Sequence, residues 1–434
     1  MTSVGTVKIK QVRFVCALDT GQNTYPLLEF MELIDHEVAL SDGTSEGQTI
    51  KCTRNAAASI AMVCSESSFK QSSMILKQTA GFDLSTMTEF RVTDSVGSEF
   101  VKGAPVEVAS DRIESMTENI RGNVLETRVD TVNKSENKDE IIQKALAEGP
   151  EGILYTDHTG PTMKVMYILC DGTGVPGRRL ELVGAKGKQP DGSARTFEAK
   201  IGAVFVVEYT IDGRPLLTES GEIYRSKEVS YFGTVRSVDD FGPMLYQHTV
   251  DKGLEDMDAV VFLGDGAKWV WGIQNKYYPY ALTGLDLYHS IERVSDMVEF
   301  LQFKGQFALE RKQTFRTECL ELLRSGKIME MIELIETLPC KKSAEKQLDS
   351  ALKYFRSNMM RMNYGVFAAT GIFVGTGVIE AGCKVIVGDR MKNAGMHWTK
   401  NSAEKMIALR CAIRNGDFLS SYLNSDALPE KTAA

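Results

Sequence analysis

Residues 165–176 read VMYILCDGTGVP, an apolar run that ends on the acidic Asp171. Two later segments share this pattern: DAVVFLGDGAKW at 258–269 carries Asp265, and GTGVIEAGCK at 375–384 carries Glu380. A carboxylate at the end of a buried strand or on the apolar face of a helix is costly unless another charge compensates it. Three such acids, far apart in sequence, predict one shared metal site with oxygen ligands.

The pattern around these acids predicts an α/β fold. Residues 164–289 predict three strands, a helix, a strand, a helix and a strand that ends at Asp286, and the second and third strands alternate as antiparallel strands do. This order is that of a ribonuclease-H-like core, in which the first and fourth strands are neighbours. We therefore expect Asp171 and Asp265 side by side.

The third acid lies in a predicted helix at 378–392. Its packing face carries Glu380 with Cys383, Lys384, Val387 and Met391, so Glu380 is expected to face the sheet. Three carboxylates there would hold two divalent ions roughly 3.5–4 Å apart for in-line attack on a phosphodiester. Hard oxygen ligands favour Mg²⁺, with Mn²⁺ as the alternative, and the attacking group is water or a DNA 3′-hydroxyl.

Composition argues against a zinc-binding, a membrane-spanning or a secreted protein. The eight cysteines include no C-x-x-C pair, which argues against structural zinc, and the longest apolar stretch, 365–379, is too short to span a bilayer. The first residues lack the apolar segment of a signal peptide, so we expect a cytoplasmic protein. The net charge is −8, yet residues 341–414 hold thirteen Lys/Arg against five Asp/Glu, which predicts a local basic face or simply solvated helix surfaces.

Residues 67–100 predict two short helices around a turn at 80–82. Thr86 and Glu89 form a T-x-x-E capping box for the second helix. The pair is a helix-turn-helix candidate, with an ordinary αα-hairpin as the alternative, and Arg91 is the only cation that the second helix offers.

At this point the chain resembles a known family. The segments LCDGTGVPGRR, VVFLGDGAKWVW, LDLYHSIE and GVIEAGCKVIVGDRMKNAGMHW, in this order, resemble bacterial insertion-sequence DDE transposases of the Kra group, relatives of the Mutator-like elements. The resemblance covers roughly residues 67–416. It implies a DNA transposase with Asp171, Asp265 and Glu380 as catalytic, metal-binding residues, and a helical insertion before the Glu380 helix.

The resemblance also implies supporting residues and partners. Asp286 and His289 match a D-x-x-H signature near the site, with a role in DNA positioning or in supporting the ligands. Lys384 is expected to pair with Glu380 or touch phosphate, and Arg390 and Lys392 are expected to face outward toward DNA phosphates. The partners would be the element's terminal repeats and target DNA. A homodimer or larger assembly is expected because two ends are processed together, in a prokaryotic, nucleoid-associated protein.

The predicted organisation has seven segments. They are an N-terminal region without an assigned role (1–66), the helix-turn-helix candidate (67–105), linker helices (106–160), the first part of the ribonuclease-H-like core (161–289), an all-helical insertion (290–358), the Glu helix and C-terminal helix of the core (359–416) and a tail (417–434).

Two rival functions were weighed. A haloacid-dehalogenase-type phosphatase needs an Asp where Leu169 stands, and acids where Ala267 and Lys268 follow GDG, so the sequence argues against it. A domesticated, non-catalytic DNA-binding protein derived from a transposase stays as the alternative.

Overall fold

The computed structural model describes residues 52–185 and 194–424, and the backbone of short strand pairs before them. In these pairs, Phe14–Val15 lies beside Asn23–Thr24 and His36–Ala39 beside Thr49–Cys52, both antiparallel. The rest of residues 1–51 lies outside the described residues, as do residues 186–193 and 425–434.

A five-stranded mixed sheet forms the centre of the chain. Its strands are β1 (Thr162–Pro176), β2 (Thr196–Thr210), β3 (Arg225–Thr234), β4 (Ala259–Gly264) and β5 (Leu282–Leu285). The spatial order is β5-β4-β1-β2-β3, with β1 antiparallel to β2, β2 antiparallel to β3, and β4 parallel to both β1 and β5. The predicted contact between the first and fourth strands is therefore present.

Strand β1 is buried on both faces, which explains its unbroken apolar sequence. Met166, Ile168 and Cys170 face one hydrophobic cluster, while Val165, Tyr167 and Leu169 face another. Helices α7 (Val238–Asp251) and α8 (Lys268–Tyr277), which follow β3 and β4, supply the first cluster. Helices near the C-terminus supply the second.

The stretch after β5 is helical, as predicted for 290–358. It comprises α9 (Leu287–Phe300), α10 (Ala308–Arg324), α11 (Ile328–Glu336) and α12 (Glu345–Asn358). The chain then returns to the sheet through α13 (Tyr364–Thr370) and α14 (Gly377–Cys383). A π-helical turn at Lys384–Gly388 joins α14 to the short α15 (Asp389–Met391). The predicted Glu helix is thus interrupted by a π turn.

The chain ends in α16 (Lys400–Arg414) and α17 (Phe418–Leu423). Helix α17 lies within the segment 417–434, which was expected to be a tail. Phe418 and Tyr422 of α17 are buried in a cluster with residues of the N-terminal helices. Burial of these two aromatic rings holds α17 against the N-terminal helices.

Between residues 52 and 161, six helices precede the sheet. They are α1 (Arg54–Glu66), α2 (Phe69–Ala80), α3 (Thr86–Phe100), α4 (Ser110–Ile120), α5 (Val124–Lys134) and α6 (Lys138–Glu148). The segment 106–160 was expected to hold linker helices, and α4, α5 and α6 lie within it.

The helix-turn-helix candidate corresponds to α2 and α3. Gly81 ends α2 in the left-handed conformation (φ 71°), at the predicted turn. The predicted capping box is wrong: Ser85 caps α3 by accepting from the Thr88 N–H, and Glu89 is buried instead. Val92 and Val96 of α3 pack in one cluster with α1, α16 and α17. The hairpin is therefore part of a larger helical layer.

Candidate metal centre

Three aspartates lie at the same level on adjacent parallel strands. Leu169 of β1 pairs with Leu263 of β4, and Leu263 pairs with Gly284 of β5. Two residues further along each strand come Asp171, Asp265 and Asp286. Because side chains alternate along a strand, residues at equal offsets lie on the same side of the sheet. Strand register alone therefore gathers these carboxylates at one edge.

Asp171 was expected to lie at the end of its strand. Instead, β1 continues beyond it, paired with β2, to Pro176. Its Oδ1 accepts from the Gly172 N–H at 2.6 Å, and its Oδ2 lies 3.6 Å from the Cys383 thiol. Burial raises the pKa of Asp171; the Gly172 N–H partly opposes this, and the negative charge of Asp265 raises it further. The two carboxylates therefore act on each other across the β1–β4 pair.

Asp265 lies in the turn between β4 and α8. Its Oδ1 accepts from the Ala267 N–H at 2.9 Å, and its carbonyl oxygen accepts from the Tyr354 hydroxyl at 2.8 Å. The next residue, Gly266, has φ 98°, where a Cβ would lie 2.5 Å from the Tyr354 ring. A glycine is needed here both for its conformation and for this close approach.

Asp286, His289 and Glu380 form a second group beside this pair. One potential ligand atom from each residue lies within 4.8 Å of the other two. The Nδ1 atom of His289 is 2.5 Å from Asp286 Oδ2 and 3.7 Å from Glu380 Oε1. Thr376 donates to both Asp286 and Glu380, the latter at 3.0 Å. These contacts bring the end of β5, the start of α9 and the helix α14 together.

The charges in this group are coupled. Burial by itself raises the pKa of Asp286, but hydrogen bonds from His289, Thr376 and the Tyr288 N–H outweigh it, so that the pKa lies below its usual range. The hydrogen bond to Asp286 raises the pKa of His289 to about 9. At neutral pH the imidazole is therefore a cation that faces two carboxylates.

Helix α14 connects the two groups. Ile379 and Cys383 are buried, whereas Glu380 has a half-exposed side chain at the edge of that face. Cys383, one turn after Glu380, contacts Asp171. Among the described contacts, Glu380 thus lies beside Asp286 and His289. The same helix contacts Asp171 through the Cys383 thiol. Lys384 is exposed, so its predicted place on the packing face is wrong, and no described contact joins it to Glu380.

The predicted outward orientation of Arg390 is wrong. Its side chain is fully buried, its Nε donates to the Cys64 carbonyl at 2.7 Å, and its guanidinium lies over the rings of Phe69 and Trp398. Backbone and aromatic groups surround this cation, although its Nη2 atom has no hydrogen-bond partner among the described residues. Because it is buried, the side chain is not accessible to DNA. Lys392 is exposed and its Nζ donates to Thr173 Oγ1 at 2.6 Å, near the end of β1.

Much of the basic excess between 341 and 414 serves internal contacts. Arg410, like Arg390, is buried, while Lys405 pairs with Asp94 and Arg414 with Glu66. These pairs join α16 to the N-terminal helices. The charge count therefore does not correspond to one continuous basic face.

Sequence reasoning missed three residues of the site. Thr376 precedes Glu380 by four residues, a spacing that places both on one helical face. Cys383 was recognised as a packing residue but not as a contact of Asp171. Tyr354 comes from the helical region 89 residues after Asp265, and no local pattern predicts such a long-range contact.

Comparison with known proteins gives distant similarities. No family model matches the chain. A Streptococcus gallolyticus protein described as "UPF0236 protein in vanSb 3′region" is 28% identical over 144 residues, which are 32% of this chain and 29% of that protein. The chain thus matches less than a third of this relative's length.

The chain also aligns with a solved structure. The Drosophila P element transposase strand transfer complex aligns over 92% of this chain and 86% of its own, at 12% identity and a TM-score of 0.27. A likeness at this level supports no conclusion on fold or function. Within the described residues, no helix is long and apolar enough to cross a membrane.

Proposed function

We propose that the chain is a DDE transposase, a metal-dependent enzyme that cleaves DNA at the ends of an insertion sequence and transfers the 3′ ends to target DNA. The observation that carries the proposal is the register that aligns Asp171 and Asp265 on neighbouring parallel strands, with the Glu380 helix in contact with Asp171 through Cys383. The sequence motifs that resemble this family lie at these same elements.

The strand order supports a ribonuclease-H-like core. Three antiparallel strands are followed by two strands that are added, in parallel, beside the first. The helical stretch between β5 and α14 then corresponds to the insertion implied by the resemblance. In this arrangement Asp171 lies on β1, Asp265 directly follows the neighbouring strand β4, and the helix of Glu380 contacts Asp171 through Cys383, although 94 and 115 residues separate the three acids in sequence.

The donor set fits divalent cations with hard oxygen ligands. Burial raises the pKa of Asp171 and repulsion from the Asp265 carboxylate adds to this, so a cation between the two carboxylates would be stabilising. We assign Asp171, Asp265 and Glu380 as the residues that hold Mg²⁺ or Mn²⁺. When bound, these ions supply positive charge to the phosphodiester and to the attacking oxygen.

The neighbouring side chains would fix the carboxylates in place. His289 and Thr376 both contact Asp286 and Glu380, so the buried Asp286 serves as a fixed point that orients Glu380. Tyr354 holds the Asp265 turn through its carbonyl oxygen. Such surrounding hydrogen bonds orient ligands and are as important as the ligands themselves. The reaction needs no nucleophilic side chain, since water or a 3′-hydroxyl attacks.

Three substitutions test the proposal, namely Asp171→Asn, Asp265→Asn and Glu380→Gln. The substrate is duplex DNA that carries the inverted repeats flanking the gene, with Mg²⁺ or with EDTA. We expect each variant to lose cleavage by at least about 100-fold while it still binds DNA, because charge stabilisation in the transition state is lost. Asp296→Asn, an exposed carboxylate of α9, is the matched control and should cleave normally.

The outcomes distinguish a catalytic transposase from a domesticated DNA-binding protein. Cleavage that survives any of the three substitutions would remove that residue from the assignment. Wild-type protein that binds the repeats but never nicks them, with either ion, would favour a domesticated DNA-binding protein.

A further inference from the structure

Strands β1 and β2 continue beyond the rest of the sheet as a two-stranded ribbon. The last pair of β1 with β4 is Leu169–Leu263, and the last pair of β2 with β3 is Lys200–Thr234. Residues 173–176 and 196–199 pair only with each other. From Asp171 to Pro176 the ribbon extends about 17 Å, at about 3.4 Å per residue.

The end of this ribbon is held in place. The Trp398 N–H donates to the Pro176 carbonyl at 2.8 Å, and the Arg178 N–H donates to the Trp398 carbonyl at 2.9 Å. The buried indole of Trp398 in turn donates to the Met391 carbonyl. These bonds connect the ribbon to the segment after the Glu380 helix. The position of the ribbon relative to the candidate metal centre is therefore fixed by packing.

The described residues of the ribbon's end include three exposed arginines, with Glu181 as a partly buried acid in the same turn. Arg178, Arg179 and Arg195 are exposed, and no ion pair involving them occurs among the described contacts. Leu180 beside them is 88% exposed. Glu198, an acid of the ribbon, pairs with Lys200 at 3.1 Å. Three unpaired guanidinium groups around a solvated leucine have no structural role in the fold and are typical of a surface that meets a polyanion.

We propose that this ribbon contacts duplex DNA beside the cleavage site, with Arg178, Arg179 and Arg195 on the phosphates. The inference rests on the proposed function and adds the place where the duplex lies. A two-stranded ribbon fits the major groove of B-DNA, and arginine binds phosphate with two donors. A length of about 17 Å corresponds to about five base-pair steps, at 3.4 Å each. The duplex would thus be held about half a helical turn from Asp171.

Salt dependence of binding tests the contact. The full chain is titrated with a 30-base-pair duplex in EDTA, at several salt concentrations, so that cleavage plays no part. A plot of the logarithm of the DNA association constant against the logarithm of the salt concentration has a negative slope. In the triple variant Arg178→Gln, Arg179→Gln, Arg195→Gln this slope should become less steep by up to about 3, since each phosphate contact contributes about 0.9. The control variant removes three exposed cations elsewhere, Arg121→Gln, Lys144→Gln and Arg324→Gln, and should change the slope by less than about 0.5.

Crosslinking locates the contact. A photoreactive phenylalanine analogue replaces Leu180, or, as the control, Met360, which is 86% exposed. We expect the analogue at 180 to crosslink the duplex and the one at 360 not to. Equal slopes for the two triple variants, or equal crosslinking at the two positions, would overturn the ribbon contact while leaving the transposase proposal intact. Failure of the wild-type chain to bind any duplex would overturn both.

Discussion

Replacing Arg410 by methionine is expected to lower the free energy of unfolding by about 3 kcal/mol. Arg410 is buried on α16 and donates to three carbonyl groups in two other elements. Its Nε lies 2.9 Å from the Ile386 carbonyl and 3.1 Å from that of Val385, both in the π turn. Its two Nη atoms bond the carbonyls of Ser65 and Val385. The side chain thus joins the end of α1 to the turn that follows the Glu380 helix.

The magnitude follows from these partners. Methionine fills a similar volume but donates no hydrogen bond, so three carbonyl groups lose a donor at about 1 kcal/mol each. Burial lowers the pKa of Arg410, which means that the charged form is disfavoured there and that removing the charge returns part of the cost. Lysine is not a conservative replacement, because one ammonium keeps the buried charge and does not reproduce the fork of donors. Arg410→Lys is therefore expected to destabilise about as much.

Urea denaturation, followed by circular dichroism, measures the effect. Arg414 is the matched control. It lies on the same helix as Arg410, is partly exposed, and pairs with Glu66 at 2.9 Å. Arg414→Met should cost less than about 1 kcal/mol, as exposed ion pairs do. If the Arg410 and Arg414 variants lost equal stability, the buried hydrogen bonds would contribute no more than the surface pair, and the reasoning would fail.

Two further predictions concern pH and backbone conformation. His248 is buried with its Nε2 3.1 Å from the Ser230 hydroxyl, and burial, with Lys252 and Lys102 nearby, lowers its pKa to about 4. Between pH 6.5 and 4 the unfolded chain binds a proton that the folded chain does not. The free energy of unfolding should therefore decrease by about 1.4 kcal/mol for each unit by which the pH is lowered. Urea titrations of wild type and His248→Gln should converge as pH falls; parallel curves would contradict this. Gly266→Ala should lose about 2 kcal/mol or more and cleave DNA poorly, because its Cβ meets Tyr354 at a positive φ. Gly272→Ala in α8, where a Cβ has no neighbour within 4 Å, is the control and should be neutral or stabilising, and equal stability and cleavage in the two variants would count against a role for Gly266.

The central sheet could be predicted because its signals are local. An apolar run such as 165–170 fits only a strand that is buried on both faces, and the alternation in β2 and β3 marks antiparallel neighbours. The end of α2 at Gly81 was likewise predicted, since glycine is the usual residue for a left-handed helix end. The cap of α3 was misplaced by one residue, because serine and threonine are both good caps and burial of Glu89 decides between them.

The orientation of charged side chains could not be predicted. Arg390 lies between Asp389 and Lys392, in the sequence context of an exposed cation, and only the approach of α1 and the rings of Phe69 and Trp398 makes it a buried one. The packing face was also assigned wrongly: Ile379 and Cys383 are buried, while Glu380 and Lys384, four residues apart, are both exposed. The face changes again after Lys384, where a π turn begins. Such a turn has no clear local signal.

The sequence by itself determined which acidic residues are candidate metal ligands and on which elements they lie, since residue type and hydrophobic period are properties of short segments. Tertiary structure decided which of them meet. Strand register puts Asp171, Asp265 and Asp286 at one level, and long-range packing brings Glu380 to His289 and Cys383 to Asp171. Those contacts join residues up to 212 positions apart. Their partners are set by the packing of whole helices on the sheet, which no local pattern contains.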